Sequence, residues 1–416
     1  MKKSYDLIVV GSGAAGMISA VIAARRGKKV LLLEKLSAPG AKLKATGGGR
    51  CNLTNTLSNE DFIERFGRDG RFMTSALHAF DHYDLVDFFA GIGVKSHAPD
   101  GYRIFPVTHS SLTVISALEQ EMGNLGIEML FSQRVEKLYH NAGVVTGVGA
   151  GGHIFFAQNV IVATGGLGYP SLGAEGDGYV LAKSVGHRVT ELFPAMMPLR
   201  IQERWVSNCR ADTIAGAVVR IDLPKAKKLR IKGDLIFTSD GIRGPAVLDF
   251  AREITPLLER YGKVPLLVSL TKGMNEDEIY RHLKSEIANN PEAVILKHLR
   301  SLLPESVSRE LCLLCSISPD EYFGRLPGKQ RDMLVKILAW TPLTVIGHDG
   351  FNKAMITRGG VSLKEIDPDT MESRILKGLF FCGEVVDLDG PCGGYNLQWS
   401  FSSGFLAGHL GDRNRE

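Results

Sequence analysis

The sequence predicts an α/β protein whose α/β domain is interrupted by a β-rich and helical insertion. Three observations carry this. A short apolar run, a glycine turn, an alanine-rich stretch and a second apolar run follow one another within the first 34 residues, which is a βαβ unit. Apolar runs ending at Val160-Ile161-Val162-Ala163 and at Leu379-Phe380-Phe381-Cys382 read as further buried strands, so the two ends of the chain look like one domain. Between them the pattern turns antiparallel from about 190 to 273 and helical from 274 to 340.

Element by element, Asp6–Val10 suits a strand buried on both faces, and Ala14–Arg26 suits a helix closed by Gly27. Lys29–Glu34 reads as the second strand. Residues 72–92 and 111–125 read as amphipathic helices, and 127–163 as short strands and turns. GAVVRIDL, KLRIKGDLIFTS and VPLLVSLT are the antiparallel runs of the insertion. Asn275 and Glu278 have capping-box spacing, and Ser318-Pro319-Asp320-Glu321 predicts a helix with proline at its first position. A last helix is expected near 397–410. These readings divide the chain into an α/β domain (1–190 and 344–416), a β-rich domain (191–273) and a helical subdomain (274–343).

At 416 residues the chain is too long for one compact core. With 44% hydrophobic and 23% charged residues its composition is that of a globular protein, and its 47 glycines fall in clusters, as turns and ligand-facing backbone require. A net charge of +4 makes no case for a nucleic-acid or membrane surface. No apolar run reaches the roughly 20 residues of a membrane span. Met1-Lys2-Lys3-Ser4-Tyr5 leads straight into a strand with no secretory signal, so a cytoplasmic location is expected. Six cysteines without framework spacing fit reduced thiols. Cys312 and Cys315 have no second pair to complete a zinc site and read as core; no metal is expected. The basic run Lys225-Ala226-Lys227-Lys228, with Arg230 and Lys232, reads as a solvated hairpin.

The chemistry begins at Gly11-Ser12-Gly13-Ala14-Ala15-Gly16, a G-x-G-x-x-G string between a strand and a helix, with an acid, Glu34, at the end of the next strand. Gly11 permits the tight turn, Gly13 lets backbone approach a pyrophosphate, and Gly16 lets helix pack on strand. The helix N-terminus offers N–H groups and partial positive charge to phosphates. Glu34 would accept hydrogen bonds from an adenosine ribose, worth roughly 1.5–3 kcal/mol. The turn predicts a Rossmann-like dinucleotide site without choosing the dinucleotide.

The remaining motifs choose it. Gly40-Ala41-Lys42-Leu43, the string GGGRCNLTN (47–55), Ala163-Thr164-Gly165-Gly166, Gly383-Glu384 and the string GPCGGYNLQW (390–399) together resemble a family of bacterial flavoproteins that includes aminoacetone-oxidase-like and BaiN-like (bile-acid-reductase-like) proteins. The resemblance spans nearly the whole chain, and the two long strings are its most specific parts. It implies FAD. Gly11, Gly13, Ala14, Ala15, Gly16, Glu34 and Lys35 match the adenosine-diphosphate half, and Val135 the adenine contact. Lys42, Gly49, Arg50, Cys51 and Asn52 match a loop over the flavin, and Ala163, Thr164 and Gly165 a second strand-turn beside the cofactor. Gly383, Glu384, Asn396 and Leu397 match the ribityl and ring end. A helix N-terminus at Asn396–Gln398, with Asn396 as its cap, would stabilise charge on a reduced ring.

The expected activity is hydride transfer between flavin N5 and a small organic substrate, with NAD(P)H as a candidate donor and the insertion covering the flavin. Only one G-x-G-x-x-G stands between a strand and a helix, so no dedicated NAD(P)H domain is expected. The alternatives are an amine-type oxidase using oxygen and a flavin-binding RNA-modification or assembly factor; the mild charge argues against the latter. Arg50 has two readings, a ligand clamp or the partner of a buried carboxylate. A Cys51–Cys392 relay is disfavoured by their separation in sequence. His109, His187, His348, Tyr102, Arg103 and Tyr169 carry no assignable role.

Overall fold

The computed structural model describes residues 4–412; Met1–Lys3 and 413–416 lie outside the described residues. The chain forms two compact units, Met1–Pro194 with Met355–Glu416, and Ala195–Ala354.

The first unit is built on a seven-stranded sheet. Glu128–Leu130, Val30–Leu33, Ser4–Val10 and His153–Val162 pair in that order, all parallel. The ten-residue strand His153–Val162 is long enough for two partners on its other side. Its start pairs antiparallel with Val144–Ala150, and its end pairs parallel with Leu379–Phe381. Leu7, Ile8, Val9, Val160, Ile161 and Val162 are fully buried, as strands covered on both faces must be. Register decides where the site can lie. Val10 is level with Leu33 and with Val162, which is level with Phe381, so four parallel strands end at one edge.

The helix Ala14–Arg25 and the last helix, Tyr395–Gly408, pack closely. A Cβ on Gly404 would lie 2.4 Å from Ala15 O, and one on Gly408 2.8 Å from Ser19 O. The single helix expected over 72–92 is instead two, Thr74–Ala79 and His82–Gly91, the second opened by an Asp81–Asp84 capping box. The break has a cause. Phe80 O accepts hydrogen bonds from Gln398 Nε2 and Ser402 Oγ of the last helix.

The second unit holds a closed six-stranded barrel: Leu199–Ile201, Gly241–Arg243, Arg230–Phe237, Thr213–Ile221, Val264–Ser269 and Thr341–His348. The last of these crosses the boundary drawn at 343/344. Barrel and helices share one core, in which Val219, Leu266 and Val345 join Leu283, Ile295, Leu311 and Leu338. The expected capping box at Asn275 and Glu278 opens the helix Glu276–Asn289. Two readings fail here. A 17-residue helix, Pro245–Tyr261, lies within the stretch read as antiparallel, with proline at its start and Pro256 inside it. No helix starts at Pro319, because Pro319 O and Glu321 O accept from Leu296 N and Ile295 N; a short 3-10 turn, Phe323–Arg325, precedes the next α-helix, Gly328–Ala339. No helix among the described residues is long and apolar enough to cross a membrane.

Candidate functional site

The common edge of the parallel strands carries the candidate site. Gly11–Gly16 follows Ser4–Val10, Glu34 and Lys35 follow Val30–Leu33, Ala163–Gly165 follows His153–Val162, and Gly383–Glu384 follows Leu379–Phe381. Val135 opens the strand Val135–Asn141, which follows Glu128–Leu130 in the chain but lies at the opposite edge of the sheet, beside Val144–Ala150. Ligands of open α/β sheets bind outside the carboxyl ends of their strands.

Within the turn the three glycines divide as the motif requires. Gly11 has φ +99°, and a Cβ on it would lie 2.7 Å from Ala163 O. A Cβ on Gly16 would lie 1.9 Å from Gly11 O. A Cβ on Gly13 meets nothing within 4 Å. Two of the glycines therefore hold backbone to backbone, and the third faces open space. The helix behind it, Ala14–Arg25, has no side-chain cap and no acid in its first turn, so its positive end is left for an anion. Beside it, Thr164 Oγ1 is buried without a hydrogen-bond partner. An open glycine, an uncapped helix and an orphaned hydroxyl on one edge fit a dinucleotide such as FAD.

Glu34 sits beside this turn and braces it. Its Oε2 accepts from Ser12 N (2.8 Å) and Ser12 Oγ (2.6 Å), and its Oε1 accepts from Leu36 N (2.8 Å). Lys35 pairs with Asp177 (2.6 Å) and Glu175 (3.0 Å), and Arg134 pairs with the same two acids. The Lys35 ammonium holds the Glu175 carboxyl below its ordinary range. Val135 is buried in the core.

At the opposite end of the candidate site, Lys42 and Glu384 meet at 2.6 Å although they lie at opposite ends of the sequence. Glu384 Oε1 also accepts from Thr357 N (3.0 Å), while Thr357 Oγ1 accepts from Leu167 N (2.8 Å). Sequence reasoning missed Thr357, which sits in a three-residue strand with no motif around it. Gly47, Gly48 and Gly49 are successively left-handed, and a Cβ on Gly48 would meet nothing within 4 Å. Arg50 is exposed, donates to Gly47 O (3.2 Å) and lies over the Phe105 ring (5.4 Å); no carboxylate among the described residues pairs with it, so its scaffolding reading fails. Asn52, with its amide oxygen toward Gly394 N (2.9 Å), ties this loop to the start of the last helix. Asn55 Nδ2 donates to Gly393 O (2.9 Å), and the hydroxyls of Tyr102 and Tyr395 meet at 2.5 Å.

Asn396 does not cap the last helix. The cap position is Gly394, left-handed and without a side-chain cap, because Asn396 already lies inside the helix. Its amide bonds Gly390 O and Gly390 N, each at 2.8 Å, and so clamps the loop before the helix. Leu397 packs partly buried against the core.

The cysteines are all free. Cys51 is buried, and burial pushes its thiol up to about 12 despite a hydrogen bond from Thr46 that acts the other way. A thiol held neutral is a poor nucleophile, which removes the ground for a relay with Cys392. Cys51 is expected to resist maleimide at pH 8 in the native protein and to react within minutes once denatured, read by mass spectrometry. Burial likewise raises Cys312 to about 12 and Cys315 to about 11, as core thiols. No group of three or more potential metal ligands occurs among the described residues.

Of the histidines, His109 meets His97 at 3.0 Å. His348 belongs to the second unit. His187 is buried between Glu365 (3.2 Å) and Ser373 Oγ (2.7 Å). Burial lowers its pKa from 6.5, outweighing the opposing pull of Glu365. The unfolded chain therefore takes up this proton first. The contribution to stability is full above pH 6.5 and is lost as pH falls through the folded value. The thermal midpoint is expected to fall between pH 7.5 and 5, and less steeply in His187→Gln.

These features define a Rossmann-type dinucleotide-binding protein. A family model described as the HI0933-like protein Rossmann domain matches residues 5–410, and the chain belongs to this family of FAD-dependent oxidoreductases. Among curated relatives it is 32% identical over 403 residues to the 3-dehydro-bile acid delta(4,6)-reductase of Clostridium scindens, covering 96% of this chain and 97% of that protein. It is 29% identical over 401 residues to the ribosomal RNA dihydrouridine synthase of Escherichia coli, covering 96% of each. The fold is shared with 3-ketosteroid delta1-dehydrogenase from Sterolibacterium denitrificans, with a TM-score of 0.55, 13% identity and coverage of 98% and 99%.

Proposed function

We propose that the protein transfers hydride between FAD and a carbon–carbon double bond conjugated to a carbonyl in a small organic substrate, with NAD(P)H as electron donor. The observation that carries the FAD assignment is the convergence of Gly11–Gly16, Ala163–Gly165 and Gly383–Glu384 at the ends of three adjacent parallel strands. The bond type rests on the relatives. One is named for reducing ring double bonds of a 3-oxo steroid and the other for making dihydrouridine, and both names describe saturation of a bond conjugated to a carbonyl.

In this reading Gly13 and the helix behind it hold the pyrophosphate, and Glu34 takes the adenosine ribose on the lone pairs that Ser12 and Leu36 leave. Val135 and Lys35 border the adenine. Lys42 and Glu384 hold the ribityl end with Thr164. Gly49, Arg50, Cys51 and Asn52 shape the loop over the ring, and the last helix, at Asn396 and Leu397, directs its positive end toward it. FAD, when bound, supplies hydride chemistry at N5. The free cysteines suit a cytoplasmic location.

The test is anaerobic. NADPH is expected to bleach the yellow protein, and a 3-oxo-4-ene steroid to restore the colour with a saturated product. Protein that stays colourless after reconstitution with FAD sinks the assignment. A second reading, reduction of a pyrimidine in RNA, is favoured by the nearly full-length likeness to the dihydrouridine synthase. Its test is the dihydrouridine content of ribosomal RNA incubated with the reduced protein.

A further inference from the structure

We propose that the outer face of the barrel hairpin Thr213–Phe237 in the second unit binds single-stranded nucleic acid. The inference rests on none of the hydride chemistry above.

It starts from how charge is distributed. The whole chain carries only +4, but Ala195–Ala354 holds 24 Lys and Arg against 19 Asp and Glu, so this unit is +5 and the remainder −1. The excess concentrates in one place. Residues 213–232 contain Arg220, Lys225, Lys227, Lys228, Arg230 and Lys232 against the single acid Asp222. Elsewhere in the unit arginines find carboxylates, as Arg200 does with Asp349 and Arg300 with Glu305. Among the described residues none of the six cations of the hairpin makes an ion pair.

The register places Arg220, Arg230 and Lys232 on one face, and Lys225, Lys227 and Lys228 are exposed in the turn that joins the two strands. Ala217, Val219 and Ile221 point into the barrel, so Arg220 points out. Arg230 and Lys232 are exposed on the neighbouring strand and lie two residues apart, about 7 Å. Arg220 stands directly opposite Arg230, a like-charge cross-strand pair that destabilises a bare hairpin and is relieved by an anion above it. Lys272 joins them from the next strand connection, its Cγ 3.8 Å and Lys232 Cε 3.7 Å from the Cβ position of Gly216. The nearest acid of the second strand, Asp234, is engaged by Gly216 N (3.0 Å).

A row of cations alone fits any polyanion. The choice of nucleic acid comes from Arg220. Its guanidinium sits over the Trp340 ring at 4.1 Å, and a planar cation backed by an indole presents a flat surface on which a base stacks. Successive cations along the strands then follow the phosphates, and a single strand is the form whose bases are free to stack.

The experiment uses the full-length FAD-loaded protein and fluorescence anisotropy with a labelled 12-nucleotide single strand, as RNA and as DNA, at about 50 and about 200 mM salt. Six phosphate contacts, from Lys225, Lys227, Lys228, Arg230, Lys232 and Lys272, predict a slope of log affinity on log salt of about −4. The triple variant K225E/K227E/K228E is expected to bring the slope to about −2 and to weaken binding more than about tenfold at the lower salt. The control K95E/K137E/K183E makes the same change in net charge at exposed lysines of the other unit, and is expected to bind within about twofold of the parent. Binding of either oligonucleotide with this pattern supports the proposal. No saturable binding at the lower salt, equal weakening by both variants, or binding of anionic phosphatidylserine vesicles without the oligonucleotides overturns it. If the triple reversal changes the thermal midpoint, the glutamine variant K225Q/K227Q/K228Q takes its place, with the same expected direction and a smaller change in slope.

Discussion

Gly16→Ala is expected to destabilise the first unit by about 3 kcal/mol or more and to abolish FAD retention. The added methyl would stand 1.9 Å from Gly11 O, where the other atom is backbone held by Leu33 O and cannot turn aside. Relief requires the helix Ala14–Arg25 to withdraw from the strand it follows, and the last helix packs on that same helix. Gly13→Ala is the contrasting case. Gly13 has φ −76°, which alanine adopts freely, and its Cβ would meet nothing. The fold is expected to survive, with FAD affinity reduced about tenfold to a hundredfold by the methyl alone. Chemical denaturation and FAD titration of the two variants separate the roles. If Gly13→Ala binds FAD as the parent does, the pyrophosphate does not lie against that backbone.

Glu34→Ala is expected to cost roughly 3 kcal/mol even without cofactor. The carboxylate accepts three hydrogen bonds, two of them from the fully buried Ser12. Removing it leaves a buried N–H and hydroxyl without their acceptor, which costs more than the bonds themselves contribute. Glu34→Gln keeps one acceptor oxygen and is expected to fall between the parent and the alanine variant. A loss of FAD affinity without a loss of stability would mean that Glu34 serves only the ribose. A loss of both is the expected result, since the same carboxylate holds the turn in shape.

How far the sequence could be read follows from the range of the interactions involved. The strands ending at Val10, Leu33, Val162 and Phe381 are buried on both faces, so unbroken apolar runs betray them without outside information. The glycine turn is legible for a related reason: Gly11 and Gly16 answer to atoms close by, on the next strand and within the same turn. The break at Phe80 was not legible, since the groups that take its carbonyl come from Gln398 and Ser402. The helix Pro245–Tyr261 was hidden by strands on either side and by Pro256, which argues against a helix when read locally. Asn396 looked like a cap because asparagine caps helices, but Gly394 adopts a backbone conformation that side chains rarely reach and takes that place. The pairing of Lys42 with Glu384 has no local signal, and the motif strings placed each residue near the cofactor without joining them.

The placement of Leu379–Phe381 has a consequence for how the protein is made. As the polypeptide leaves the ribosome, Ala195–Ala354 is one continuous stretch and emerges whole, free to fold. The first unit must wait. Until Leu379–Phe381 arrives, the end of His153–Val162 offers Val160–Val162 as an unpaired apolar edge, and until Tyr395–Gly408 arrives the helix Ala14–Arg25 lacks its cover. A product halted after the barrel is therefore no weakened enzyme. It is a chain with a finished insertion and an open, adhesive sheet, and the edge that carries the candidate site is complete only once Leu379–Phe381 and the last helix have been made.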